Sequence, residues 1–146
     1  MRLVPSLTLA FGLLALSGCG KEAGRVAFAA EGASESTLPL KAGEVSFWTD
    51  IDVEFEGSVA LAYKIELHQN GAPVGTTVCN PLGDLPMKTG WVSTDLGSSH
   101  SRRGNGKMRC DVQLATAGAT KVKASLAFNP KPAKFTLKKA DLVIKQ

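Results

Sequence analysis

Residues 44–56 read EVSFWTDIDVEFE, and their side chains alternate between apolar and polar almost without error. Successive side chains of an extended strand point to opposite faces, so this alternation predicts a half-buried strand, or two strands joined by a bend near Asp50. Trp48 is the exception to the pattern. It falls on the polar parity between Ser46 and Asp50, and the pattern therefore predicts an exposed indole.

The same period continues on both sides of this stretch. Asn70-Gly71 is a strong turn signal that makes 74–79 the hairpin partner of 59–68. A parity slip at Lys138-Lys139 predicts a β-bulge. Outside residues 44–56, strands are predicted at 25–30, 36–40, 59–68, 74–79, 90–94, 108–114, 121–128 and 134–145.

These elements determine the fold class. After the N-terminal segment, no window carries a sustained helical period. About eight short antiparallel strands, each with one apolar face, must bury those faces against one another. We therefore predict an all-β fold, a β-sandwich or barrel, with a jelly-roll-like antiparallel sandwich as the first choice.

Residues 95–107 interrupt the alternation. This stretch holds three glycines and no apolar side chain except Leu96. Such composition predicts a mobile loop. Its bases suit an anionic partner, such as lipid headgroups, lipopolysaccharide phosphates or an acidic protein surface; the alternative is a hairpin tip kept soluble by charge.

The N-terminus reads as a processing signal. Arg2 precedes an apolar run from Leu3 to Leu16, which is too short to span a bilayer, and the run closes on Leu16-Ser17-Gly18-Cys19. This segment resembles the lipobox of bacterial lipoproteins. The resemblance covers residues 1–19 only, and it implies that residues 1–18 are removed and that Cys19 is acylated and holds the protein on the membrane.

The resemblance also implies a location. In many Gram-negative lipoproteins, Asp after the acylated Cys favours the inner membrane; here that residue is Gly20, which favours the outer membrane. Residues 19–24 are then expected to form a lipidated tether, and residues 25–146 a single domain. A five-residue tether holds the domain within about 17 Å of the lipid.

Two cysteines remain in this oxidising compartment, Cys79 and Cys110. We predict that they form a structural disulfide, which stabilises the fold by roughly 3–4 kcal/mol. The alternative is a metal site with His68 and His100, but these four residues lack the close spacing of a zinc motif. No metal or other cofactor is therefore expected.

Charge is distributed unevenly along the chain. Residues 31–66 hold eight acids and two lysines, whereas residues 101–146 hold eleven bases and two acids. The acidic row Asp50 to Glu56 cannot converge on one calcium ion, because residues two apart on a strand are separated by about 6.6–6.8 Å. We expect this row to be a solvated face opposite the bases Lys121/Lys123 or Lys134/Lys138.

Six residues are candidates for partner contact. Trp48 and Trp91 form a candidate sugar-stacking platform, although each indole could instead lie under a loop. The basic loop supplies His100, Arg102, Arg103 and Lys107. No nucleophile elbow, phosphate-binding loop or zinc-protease signature is present, so no catalytic residue is assigned and an enzyme is not expected.

Three functions compete. The leading hypothesis is a non-catalytic, membrane-anchored protein that binds another envelope component, most plausibly a protein, through residues 95–107 or an exposed sheet face. The second is a carbohydrate- or cell-wall-binding module. The third is a hydrolase inhibitor, since small lipoproteins that block host lysozymes are similar in size and in their single disulfide, although no inhibitory motif is shared. Nucleic acid is not an expected partner of an exported, lipid-tethered domain.

Overall fold

The computed structural model describes residues 20–146, so the signal segment and Cys19 lie outside the described residues. The described chain is all-β, as predicted, with ten strands where about eight were expected. The strands are β1 (Glu22–Phe28), β2 (Gly32–Leu40), β3 (Gly43–Glu56), β4 (Leu61–Gln69), β5 (Ala72–Cys79), β6 (Met87–Leu96), β7 (Ser99–Lys107), β8 (Val112–Leu114), β9 (Gly118–Phe128) and β10 (Phe135–Lys145).

The strands form two antiparallel sheets. Sheet A has the order β1-β10-β3-β7-β6, with β8 beside the start of β3, and sheet B has the order β2-β9-β4-β5. The pairings are nested, because β1 pairs with β10 and β2 with β9 while the chain passes from one sheet to the other. This nesting is the topology of a jelly-roll sandwich, as predicted.

The alternation along β3 places one face of sheet A in the core. Val45, Phe47 and Val53 are fully buried. They face sheet B, whose β4 contributes Tyr63, also fully buried. The Tyr63 hydroxyl shares a hydrogen bond of 3.3 Å with Thr49 Oγ1, so the only polar side chain on the apolar parity of residues 45–55 has a partner from the opposite sheet.

Two local predictions are confirmed. Asn70 and Gly71 both have positive φ, 51° and 76°, which is the geometry of a tight turn, and they join β4 to β5. The register between β10 and β3 shifts between Leu137 and Lys139, which is the predicted bulge.

Residues 95–107 are not a loop, so that prediction is wrong. They form the end of β6, a turn at Gly97-Ser98 and the whole of β7, which pairs with β3 on one edge and with β6 on the other. Gly97 has φ +60°, which suits the first central position of a two-residue hairpin turn.

The expected tether is also largely absent. Glu22 already belongs to β1, and the backbone of Lys21 exchanges two hydrogen bonds with Gln146, of 2.8 and 3.1 Å. The backbone pairing of the domain therefore begins at Lys21. Within residues 20–146, no helix is long and apolar enough to cross a bilayer.

The predicted disulfide is confirmed. Cys79 at the end of β5 is bonded to Cys110, just before β8, with their Cα atoms 5.4 Å apart. Both residues are buried in the main core. The bond therefore links sheet B to the segment that leaves β7 of sheet A.

Removing this bond tests its structural role. We expect the Cys79→Ala/Cys110→Ala variant to lose about 3 kcal/mol of unfolding free energy, because its unfolded chain gains the freedom that the closed loop denied it. Denaturant unfolding of the variant and the oxidised wild type measures this loss. Equal unfolding midpoints and slopes would contradict the assignment.

Candidate functional site

The structure separates the six predicted contact residues into two places. Trp48 and Lys107 are register partners on the outer face of sheet A, and Arg103 lies on that face opposite Asp52. The other three, Trp91, His100 and Arg102, lie near the far end of the β6–β7 hairpin. We call this region the hairpin end; it holds the Gly97-Ser98 turn, whose Ser98 carbonyl accepts a hydrogen bond from the Gly57 amide.

Trp48 is not an exposed platform, so that expectation is wrong. Its side chain lies on the outer face of sheet A but the residue is only 5% exposed. Val143 and Lys107 flank it on the neighbouring strands, and Lys145 Nζ lies 3.8 Å from the ring centroid. Strand parity gave the correct face, but the neighbouring strands cover the indole.

Trp91 points the other way. It packs against the buried core clusters on the inner side of sheet A, and its Nε1 donates a hydrogen bond of 3.0 Å to Ser93 Oγ. The two tryptophans therefore lie on opposite faces of one sheet. They cannot form a shared sugar-stacking platform.

Glycines explain how Trp91 reaches this position. A register shift between Thr89 and Val92 creates a bulge in β6, where Gly90 has φ +61°. Opposite the bulge lies Gly104, with φ +140°, where a Cβ would come within 2.7 Å of the Gly90 carbonyl oxygen and the Trp91 Cα. Any larger residue at position 104 would push the two strands apart.

A charged cluster closes the hairpin end. One carboxylate oxygen of Asp95 lies 2.6 Å from His100 Nδ1 and accepts a hydrogen bond of 2.8 Å from Arg102. These two hydrogen bonds hold the pKa of the Asp95 carboxyl below its ordinary range, and the bond with His100 has the larger effect. The His100 ring is 5.2 Å from the ring of Phe55, and the Arg102 guanidinium is 6.0 Å from it.

A cavity of about 270 Å³ adjoins this cluster. Its walls combine aromatic and aliphatic side chains with a few polar groups, as small binding pockets do. The lining residues include Phe55, Leu96, His100, Phe135, Glu56 and Lys134. In this pocket His100, which was predicted to contact a partner, lies beside Phe55 and Phe135. For these two phenylalanines, strand parity predicted core positions only.

The outer edge of β6 is the feature that sequence reasoning missed. Within residues 20–146, β6 pairs with β7 alone, so its other edge has no strand partner. Met87, Val92 and Leu96 on this strand are 42%, 45% and 74% exposed. Because of the bulge, these three residues share a face without regular alternation in the sequence, which hid the pattern.

The acidic row of β3 is paired, as expected. Lys138 lies 2.7 Å from Glu54, Lys134 lies 3.4 Å from Glu56, and Lys139 lies 2.7 Å from Asp50. Lys121 instead lies 3.9 Å from Glu35 on sheet B. The alternative pair of bases, Lys121 and Lys123, therefore faces away from the acidic row. In the described part of the chain, no group of three His, Cys, Asp or Glu side chains is placed to hold a metal ion.

No protein-family model and no curated protein matches this chain. Its function must be inferred from the surfaces that the sandwich presents. Two surfaces stand out on sheet A: the open edge of β6 with the adjoining cavity, and the outer face around Trp48.

The Asp95 cluster makes a testable pH prediction. In a His100→Ala variant we expect the pKa of Asp95 to rise towards its ordinary value, because its most influential hydrogen bond is gone. Folding lowers the pKa of this carboxyl, so its ionised form stabilises the folded state at pH values above the pKa of the unfolded chain. This stabilisation is lost as the pH falls through the pKa of the folded protein. Carbon NMR of the Asp95 carboxyl as a function of pH measures the change.

The control for this titration is His68→Ala. His68 contacts Glu66 at 3.1 Å on sheet B, far from the hairpin in the fold, so its loss should leave Asp95 unaffected. The same Asp95 pKa in both variants would contradict the assigned contact.

Proposed function

We propose that this chain is a lipid-anchored, non-catalytic protein of the bacterial envelope, in the outer membrane of a Gram-negative cell, that binds an envelope protein through β6. The observation that carries the proposal is the ten-residue edge strand with its three exposed apolar side chains. Edge strands normally carry protection against pairing with other chains. β6 has its bulge, but from Val92 to Leu96 its pairing with β7 is regular.

The backbone of this segment can accept another strand. In a hairpin closed by a two-residue turn, the two residues that flank the turn form the first hydrogen-bonded pair, which here is Leu96 and Ser99. Every second residue before Leu96 likewise directs its backbone N–H and C=O groups to β7. Ser93 and Asp95 therefore present their backbone N–H and C=O groups to the open edge. A strand of the partner would complete these hydrogen bonds.

The side chains supply the specificity of such an interface. Val92 and Leu96 give the incoming strand an apolar surface. Because Thr94 and Leu96 also line the cavity beside His100, one side chain of the partner can enter it. Strand addition combines these two elements, backbone hydrogen bonds for affinity and side-chain pockets for selection.

The carbohydrate hypothesis loses its main support. It required Trp48 and Trp91 to offer stacking surfaces, but Trp48 is covered and Trp91 packs on the opposite face. The proposed lipid anchor, in contrast, rests on the lipobox at 16–19.

A proline on the open edge tests the strand-addition surface. We expect Ser93→Pro to abolish capture of the partner from solubilised envelopes, because proline removes an outward N–H without breaking the β6–β7 ladder. Quantitative mass spectrometry of the captured proteins measures the loss. Ser93→Ala is the matched control, since it removes the same hydroxyl but keeps the N–H.

Unchanged capture by Ser93→Pro, with both variants equally stable, would contradict binding through this edge. If the captured species is a second copy of this chain, the partner is itself, and the proposal of a different envelope protein is wrong.

The anchor is tested separately. Cells expressing the wild type should incorporate labelled palmitate into this protein, and Cys19→Ser should incorporate none, because Cys19 is the proposed acylation site. Intact mass spectrometry of the purified protein gives the same answer. Acylation that persists in Cys19→Ser would contradict the assignment.

A further inference from the structure

A groove of about 350 Å³ lies on sheet A, at the end of the sandwich where the described chain begins. We call this end the anchor end. Trp48, Met87 and Lys107 line the groove together with Gly20 and Gln146, the first and last described residues. The groove therefore combines an indole, an exposed thioether side chain and an amine at the point where the described chain begins.

Gly20 is held in place at this groove. A Cβ on Gly20 would lie 2.6 Å from the Gln146 carbonyl carbon, so the backbone here runs directly against the C-terminal residue. Gln146 is fixed in turn: its side chain accepts a hydrogen bond from the Lys41 amide and donates one to the Lys41 carbonyl, both of 2.8 Å. The described chain therefore begins at the rim of the groove.

The charges around the groove favour a phosphate layer. Lys145 Nζ lies 3.8 Å over the Trp48 ring, and Lys21 and Lys41 are exposed nearby. Lys107 has a weak contact of 4.0 Å with Asp111, and Glu44 is the carboxylate within the lining. Burial raises the pKa of the Asp111 carboxyl.

We infer that the anchor end of sheet A docks on the phospholipid surface that holds the acyl chains, with Lys107 and Lys145 against headgroup phosphates, the exposed Met87 at the interface and the covered Trp48 directly beneath Lys145. This inference rests on the proposed acylation of Cys19. Lysine is suited to this depth, because its side chain has an apolar stem and a charged end. Lysines near an anionic membrane surface add about 1 kcal/mol each.

The docking sets the orientation of the partner site. β6 runs from Met87 at the anchor end to Leu96 at the hairpin end, so the strand stands away from the membrane. The cavity beside His100 lies at the end farther from the lipid. A partner strand would then approach from the compartment that the domain faces.

The two tryptophans make the test direct, because they lie on opposite faces. The lipidated protein is reconstituted into vesicles of phosphatidylethanolamine and phosphatidylglycerol with or without a headgroup spin label. Trp91→Phe leaves Trp48 as the only tryptophan, and Trp48→Phe leaves Trp91. We expect the spin label to quench Trp48 several-fold more strongly than Trp91.

Charge variants complete the test. Lys107→Gln/Lys145→Gln in the Trp91→Phe background should reduce the quenching several-fold, whereas Lys64→Gln/Lys123→Gln, on the outer face of sheet B, should leave it unchanged. Equal quenching of both tryptophans in protein of acylated mass would overturn the docking and leave the anchor intact. Protein of unacylated mass would overturn the anchor, and the docking with it.

Discussion

The two-residue period of β3 is the constraint on which the rest of the structure depends. This strand is hydrogen-bonded on both edges, to β10 on one side and to β8 and then β7 on the other. Once Val45, Phe47 and Val53 are buried, the register assigns an inner and an outer position to every residue paired with them. The acidic row must then face outward, where the bases of β10 meet it.

The two edges of sheet A differ, and this difference leads to the proposed function. At one edge, β1 continues directly into β2 of sheet B, and the backbones of Lys21 and Gln146 are hydrogen-bonded beside it. At the other edge, β6 has no neighbour among the described residues. The Cys79–Cys110 bond joins the end of β5 in sheet B to the segment that follows β7 in sheet A. The proposed anchor groove includes Met87 at the start of β6, whereas Val92 and Leu96 of the proposed binding edge lie farther along the strand.

Sequence periodicity predicted much of this fold, because its main signals are local. The alternation of residues 44–56, the Asn70-Gly71 turn and the slip at Lys138-Lys139 each report a local backbone geometry. The strand at 90–94 was predicted and lies within β6, but its hairpin partner β7 was missed because the inner face of β7 is not apolar in sequence. Gly104 and Gly106 occupy inward positions there, and the space is filled by the β6 backbone at Trp91 and by Leu85 from the preceding loop.

The candidate site was harder to predict because it depends on contacts between distant segments. Trp48 is covered by residues from β7 and β10, and Asp95 meets His100 and Arg102 only when the hairpin forms. The central claim is that β6 is the binding edge, and amide hydrogen exchange of the captured complex tests it most directly. The account predicts slowed exchange at Ser93 and Asp95 relative to the free protein, with β2 and β5 unchanged. Slowed exchange elsewhere, with β6 unaltered, would contradict it.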